Sequence, residues 1–437
     1  MGETSDTTAR SASVAFESSV AGQPRGYPAL QPLAREFLRR AVESPIALLV
    51  APAGYGKSRI AEAYAQLLQL PPECVFGPKE SPDTDMLQKL LDRSPGLILR
   101  TDVRSDRGDI RDFLQGILDG PDPDKRILLC LRRPPPLDLS AARASGNLIE
   151  GSFRLLKLDT SSCQAAVREQ FGIDLDEATI TEILRQTEGW AAGVRFIAQH
   201  MSAGDGPIPV AQALRQAQTD IAAFFRRLLD EQASGPFRSL LYRAAIPPAF
   251  RPDLPGLPEG DQPEIPSDAV ASEGSPSHEA RLLEFFALPS ATMPGWYRFH
   301  RQFRSYLLRE AAGAGVDLQV HREQLLEQYV AVGAIRPAVE LALESRRTDE
   351  AARIIGEHRH QLIASGEWGR LSRWLSQLPE HEYSEHPELS VALAYTGEPR
   401  ASSSEIGRAL HSADSWRDRN PSALPQVWEL ELEPLRQ

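Results

Sequence analysis

Apolar and polar positions follow two different rhythms along this chain. Up to about residue 160, short continuous apolar runs predict strands buried on both faces. They are Ile46–Val50 (IALLV), Val75-Phe76, Gly96–Val103 (GLILRTDV), Ile127–Leu131 (ILLCL) and Phe153–Leu158. Between them, apolar residues at three- and four-residue spacing predict helices over Leu33–Val42, from Ile60 to Leu68 and over Met86–Leu91. Pro71-Pro72 ends the second helix, and Pro134-Pro135-Pro136 stops regular structure after ILLCL. From Ser161 the rhythm is helical: Ser161–Phe171, Asp176–Gln186, Trp190–His200, Ile221–Leu229, Phe237–Ala245, Leu282–Leu288 and His300–Glu310, with a short strand expected at Gly295–Phe299. Beyond Asp317, short amphipathic helices follow one another: Leu318–Ala331, Ile335–Glu344, Thr348–Ala364, Trp368–Leu378 and Pro387–Ala394.

In Ala338–Ile355 (AVELALESRRTDEAARII) small residues and Leu recur as in the paired helices of a solenoid, whose faces are buried only by stacking. Trp368 and Trp374 are expected between such helices. The Ser-, Thr-, Ala- and Gly-rich start reads as a disordered tail. Pro247–Pro276, rich in Pro, Gly and acids and without any period, reads as an exposed insertion.

The candidate chemistry lies between the first strand and its helix. Ala51–Ser58 (APAGYGKS) matches the phosphate-binding loop G-x-x-x-x-G-K-[ST] at every fixed position but the first. Ala53, Gly54, Tyr55 and Gly56 form the turn. The two glycines lack a Cβ, so backbone N–H groups can wrap a phosphate at a helix N-terminus. Lys57 is expected to bridge the outer phosphates of ATP or ADP, and Ser58 to hold Mg²⁺. The competing reading is an ordinary glycine turn followed by Lys-Ser. GLILRTDV is expected to be the strand that delivers an acid toward the Mg²⁺. Asp102 is its carboxylate, and so the candidate catalytic and second metal-holding residue. Arg100 breaks that apolar run, and Thr101 stands where an acid often does. Arg132-Arg133 follow ILLCL at the strand end where ligands bind in open α/β sheets, which makes Arg132 a candidate phosphate contact and a surface pair the alternative.

Composition narrows the class. The chain has 437 residues, 41% hydrophobic and 25% charged, and its net charge of −12 gives no sign of a broadly nucleic-acid-binding surface. Three distant cysteines, Cys74, Cys130 and Cys163, lack metal-ligand spacing and suit a reducing cytoplasm. No apolar run approaches the length of a membrane span.

Several stretches together resemble the MalT-like signal-transduction ATPases (STAND class) of the LuxR regulator group. They are LLVAPAGYGKS (Leu48–Ser58), LRRPPPLDLSAARASGNL (Leu131–Leu148), TEGWAAGVRF (Thr187–Phe196), WYRFHRQFRSYLL (Trp296–Leu308) and GEWGRLSRWLSQLPE (Gly366–Glu380), covering roughly Leu30 to Ala394. Ala or Ser is usual in that family at the position of Ala51. The resemblance implies an α/β P-loop NTPase domain over 26–160 after the tail 1–25. A helical domain would follow over 161–205, and a winged-helix-like domain over 206–316 with the insertion 247–276. A tetratricopeptide-like array, incomplete by family standards, would occupy 317–437. It implies a switch in which these domains close over ADP or ATP while the array senses a small-molecule or protein inducer. Gly189 and Trp190 would lie near the nucleotide, and His300 against the β-phosphate of ADP, with a half-buried packing histidine as the alternative. Self-association is left open.

Two departures from the family matter. The acidic pair at the end of the strand is reduced to Thr101-Asp102, so at most slow ATPase activity is expected. No helix-turn-helix follows the array, so operator DNA is not an expected partner of this chain alone. Two other readings stay in play: a scaffold with a vestigial P-loop, and a P-loop small-molecule kinase.

Overall fold

The structure, a computed structural model, describes residues 30–395 and 411, apart from 78, 79, 81, 101–107, 203–207, 234, 252–281, 283, 284, 291, 292 and 387. The tail, most of the insertion, Thr101, Asp102 and the last stretch therefore lie outside the described residues.

The first elements are α1 (Pro32–Glu43), β1 (Ile46–Val50), α2 (Lys57–Leu67), β2 (Val75–Phe76), α3 (Thr84–Arg93), β3 (Gly96–Leu99), α4 (Gly108–Asp119), β4 (Arg126–Leu131), α5 (Ser140–Ala144) and β5 (Leu148–Ser152). The five strands form one parallel sheet in the order β2-β3-β4-β1-β5. β1 is central, with Ile46 opposite Ile127 and Leu148, and Val50 opposite Leu131 and Ser152. Both faces are covered, which is why IALLV and ILLCL are nearly continuous apolar runs. Ile46, Leu48, Leu97, Leu99, Ile127 and Leu129 share one core with Leu87, Leu91, Ile110 and Leu114 of the helices on that side. Burying each such aliphatic side chain contributes about 1.5–3 kcal/mol.

Several local expectations need correction. Phe153–Leu158 is not the fifth strand: β5 is Leu148–Ser152, and Phe153–Leu156 is a 3₁₀ turn. LIEGS has little apolar character because it is the edge strand, and a Cβ at Gly151 would come within 2.8 Å of the Phe37 ring. The strand expected over Gly96–Val103 ends at Leu99. Helices α4 and α5 were not anticipated, although Ile110, Phe113, Leu114, Ile117 and Leu118 give α4 a helical period; α5 is only five residues long.

The chain continues with α6 (Thr160–Phe171), α7 (Glu177–Thr187), α8 (Ala191–Ser202), α9 (Val210–Gln232), α10 (Gly235–Ala245), β6 (Ala287–Pro289), β7 (Tyr297–Phe299) and α11 (Arg301–Gly313). Asp83, Asp159 and Asp176 accept hydrogen bonds from backbone N–H groups at the starts of α3, α6 and α7. Each such cap contributes about 1 kcal/mol. Ile221–Leu229 is one part of the 23-residue α9. The helix expected over Leu282–Leu288 gives way to a turn at Phe285-Phe286 and then β6, because Phe286 has φ +61° and cannot continue a right-handed helix.

The last described helices are α12 (Leu318–Ala331), α13 (Ile335–Glu344), α14 (Thr348–Glu357), α15 (Arg359–Ala364), α16 (Trp368–Leu375), α17 (Glu380–Glu385) and α18 (Glu388–Tyr395). Thr348–Ala364 is thus two helices, broken at His358. Leu326, Tyr329, Ala338, Ala342, Ala351, Ile354, Ile355, Leu371 and Trp374 share one core. Trp374 is buried as expected, whereas Trp368 is 37% exposed.

The chain divides into two compact units. One comprises Met1–Arg238, Gln262–Pro289 and Phe299–Leu307; the other comprises Ser239–Asp261, Ser290–Arg298 and Leu308–Gln437. The candidate site belongs wholly to the first. No helix among the described residues is long and apolar enough to cross a membrane.

Candidate functional site

The site forms where β1 ends and α2 begins, at the C-terminal edge of the parallel sheet, the edge at which open α/β sheets bind ligands. The Ala51 N–H donates to Leu131 O at 3.1 Å, which carries the sheet pairing into the loop. Gly54 and Gly56 take φ +76° and +100°, values that side chains rarely tolerate. At Gly56 a Cβ would meet nothing within 4 Å, so backbone conformation alone requires glycine there. At Gly54 a Cβ would fall 2.6 Å from Trp190 Nε1 and 2.8 Å from Ala192 Cβ, so both conformation and space require it.

The loop is braced from behind. Trp190 is fully buried, and its Nε1–H donates to Ala53 O at 3.0 Å. The Ala192 N–H donates to Gly54 O at 3.0 Å. Trp190 in turn stacks on Phe225, with centroids 5.3 Å apart and planes 13° apart, and meets Phe286 and His300 edge-on. The Tyr55 ring is 1% exposed and joins the same cluster through Phe153, Phe286 and His300.

In front of the loop is a cavity of about 460 Å³, within the usual range of about 300–1,000 Å³ for small-molecule sites. Its wall includes Ala53, Gly54, Tyr55, Gly56, Lys57 and Ser58. Leu30, Gln31 and Ala34 at the start of α1 contribute to it, as do Leu155, Leu156 and Leu158. Gln31 is 8% exposed, and its buried Nε2 has no hydrogen-bond partner. A buried amide donor left unmade costs about 1–3 kcal/mol, so a ligand acceptor at that point would recover a substantial energy.

Among the sequence-derived candidates, the cavity brings together the loop residues and Arg132. Three others are placed elsewhere. Gly189 pairs with Leu158, accepting its N–H at 2.9 Å, and leaves no room for a Cβ. Trp190 supports the loop from behind rather than forming the cavity wall. His300, fully buried, has its Nε2 2.8 Å from Thr187 O, and the wall does not include it. In this arrangement His300 ties the start of α11 to the end of α7, helped by Gln302 Nε2 donating to Gln186 O at 3.0 Å. None of the three is in the described cavity wall: Trp190 braces the loop, Gly189 pairs with Leu158 and His300 joins α11 to α7. Asp102 lies outside the described residues.

The sequence reading missed Arg100, Gln31 and Arg195 as wall residues. Arg100 had a signal, since a charge interrupting GLIL is costly inside a sheet and cheap at its functional edge. The charged side chains of the described wall are Lys57, Arg59, Arg100, Arg132 and Arg195, all basic. Lys57 Nζ reaches the carbonyls of Ala51 and Pro52. Burial pushes the Cys130 thiol in the same wall up to about 12, against the opposing effect of the Lys57 and Arg100 charges. Burial thus favours its neutral thiol form.

The resemblance implied Mg²⁺ as well as nucleotide. Mg²⁺ is a hard cation that takes carboxylate, water and phosphate oxygens in octahedral array. Ser58 is the hydroxyl expected to ligate it, but no carboxylate lines the cavity among the described residues. The described donor set does not fit a resident Mg²⁺.

No protein-family model matches the chain. It is 22% identical over 261 residues to the serine/threonine-protein kinase PknK of Mycobacterium tuberculosis, and to the same degree to that of Mycobacterium bovis. The match covers 59% of this chain but only 23% of each kinase. Among solved structures, it aligns with a signal-transduction ATPase with numerous domains from Pyrococcus horikoshii that carries a tetratricopeptide repeat sensor. That alignment covers 94% of this chain and 61% of the other, with 11% identity and a TM-score of 0.32.

Proposed function

We propose that this chain is an adenine-nucleotide-binding switch of the signal-transduction ATPase type. ADP or ATP would occupy the P-loop cavity, and an inducer would bind the helical array. The observation that carries this reading is the mixed lining of the cavity. The loop and Lys57 suit a diphosphate, while Leu30, Ala34, Leu155 and the Gln31 carboxamide supply apolar walls and a polar group suited to a base. The finer assignment, to the MalT-like regulators with a winged-helix region following the helical one, rests on the resemblance of the sequence motifs and belongs to the same proposal. Protein kinase activity is not our reading. In protein kinases the glycine-rich loop is not of this type, and the phosphate-binding lysine lies on a strand. Here Lys57 follows the loop directly and opens a helix.

The direct test is to identify the nucleotide that co-purifies with the chain, then to titrate ADP and pyrophosphate by calorimetry. Gln31→Leu is expected to weaken ADP about tenfold, the equivalent of about 1.4 kcal/mol, and to leave pyrophosphate unchanged. An equal loss for both would remove Gln31 as a contact to the base.

Turnover is expected to be slow. Phosphoryl transfer depends on positioned groups that neutralise charge and on others that orient the nucleophile. The described wall offers cations for neutralising charge and no carboxylate for orienting the nucleophile. Steady-state phosphate release should fall well below the typical enzyme range of about 1–10³ s⁻¹. Release within that range would place a working carboxylate in the site, with Asp102 the first to substitute.

A further inference from the structure

Strand β3 ends at Leu99, and the chain's next residue, Arg100, donates its backbone N–H to Phe76 O at 3.1 Å. Its side chain lines the cavity, and its Nε is buried without a hydrogen-bond partner. In a sheet of this order the end of β3 is where the sequence reading expected a metal-orienting acid. That acid, Asp102, lies outside the described residues, and the described residue at this strand end that lines the cavity is Arg100.

The neighbouring wall deepens the contrast. Lys57 and Cys130 share the cavity with Arg100, and Arg132 lies one strand over, at the end of β4. Like charges crowded in a partly dehydrated cleft repel one another strongly, because the low local dielectric leaves them poorly screened. A polyanion relieves that repulsion, whereas a divalent cation adds to it. Arginine suits such a position, since its planar fork makes paired, charge-assisted hydrogen bonds to phosphate oxygens and stays protonated even when buried.

We propose that this site binds its nucleoside diphosphate as the metal-free anion, with the Arg100 guanidinium in the place a divalent cation takes in other P-loop sites. The inference rests on the nucleotide reading above and extends it to the ionic form of the ligand. Binding then needs no Mg²⁺, and Mg²⁺ in solution competes by complexing the free diphosphate.

The experiment titrates ADP into the full chain in EDTA and again in excess Mg²⁺, for the wild type and for Arg100→Asp. Wild type is expected to bind in EDTA at least as tightly as in Mg²⁺. Arg100→Asp exchanges a cation for a carboxylate: its affinity in EDTA should fall more than a hundredfold and recover in part with Mg²⁺. A second readout needs no variant. Mn²⁺ replaces Mg²⁺ as a paramagnetic probe, and ADP-saturated wild type is expected to retain none beyond what free ADP holds. Wild-type ADP binding at least tenfold tighter in Mg²⁺ than in EDTA, or stoichiometric Mn²⁺ retained with ADP, overturns the inference and leaves the nucleotide reading standing. Absence of ADP binding under both conditions overturns the nucleotide reading, and this inference with it. Should Arg100→Asp not fold, the wild-type comparison and the Mn²⁺ readout decide alone.

Discussion

Lys57→Ala is expected to lower ADP affinity by a hundredfold or more. Lys57 is the first residue of α2, and its Nζ reaches the rim carbonyls of Ala51 and Pro52, so it is already held over the mouth of the loop. A diphosphate in the cavity would accept from that ammonium and from the backbone N–H groups of Gly54 to Ser58. Two charge-assisted hydrogen bonds of about 1.5–3 kcal/mol each, lost together, amount to about two to four powers of ten in affinity. The side chain is only part-buried, so the thermal transition should change little. Calorimetry with ADP is the measurement. Unchanged affinity in a folded variant would mean that the phosphates do not bind at this loop.

The second large effect is one of stability. Trp190→Ala is expected to destabilise the first compact unit by about 3–5 kcal/mol, the cost of emptying a fully buried aromatic site. The lost contacts are the stack on Phe225, the edges of Phe224, Phe286 and His300, and the hydrogen bond to Ala53 O. At about 2–4 °C per kcal/mol for a unit of this size, the melting temperature should fall by roughly 6–20 °C. Trp190→Phe keeps most of the packing and loses the hydrogen bond, so a smaller fall of about 1–2 kcal/mol is expected. The same variant separates two roles: if Trp190 acts by bracing the loop, Trp190→Phe should also weaken ADP. An unchanged melting temperature for Trp190→Ala would contradict the aromatic cluster around it.

Legibility along the chain followed the range of the interaction. Ile46–Val50, Leu318–Ala331 and Ile335–Glu344 were readable to the residue, because a continuous apolar run or a helical period is a local property. Where local pattern was ambiguous, pairing decided. FRLLKL is as apolar as a strand, yet the sheet takes LIEGS, whose residues fall opposite Ile46–Val50, and folds FRLL into a turn. The short apolar run around Phe285-Phe286 reads equally well as helix, but a left-handed Phe286 turns it into β6.

His300 shows the same limit at the level of function. Motif resemblance put it beside a phosphate; the fold adds a contact that no motif announced, with the Thr187 carbonyl 113 residues away. Arg100 shows the converse. An arginine inside an apolar run looks like a flaw in the sequence and becomes a cavity-lining cation once β3 is seen to end at Leu99.

By itself, then, the sequence determined the strand, loop and helix around Lys57 and the amphipathic helices beyond Asp317. Glycine stereochemistry and side-chain periodicity act over a few residues, and no distant partner is needed to express them. The tertiary structure alone decided the strand order, the edge role of β5, the Gln31 amide in the cavity wall, the all-basic charge of the described wall and the Trp190 brace. Each depends on residues far apart in the chain meeting across a packed interior, as Trp190 meets Ala53 over 137 residues. Such a meeting is set by how whole elements fill space together, which no local pattern encodes.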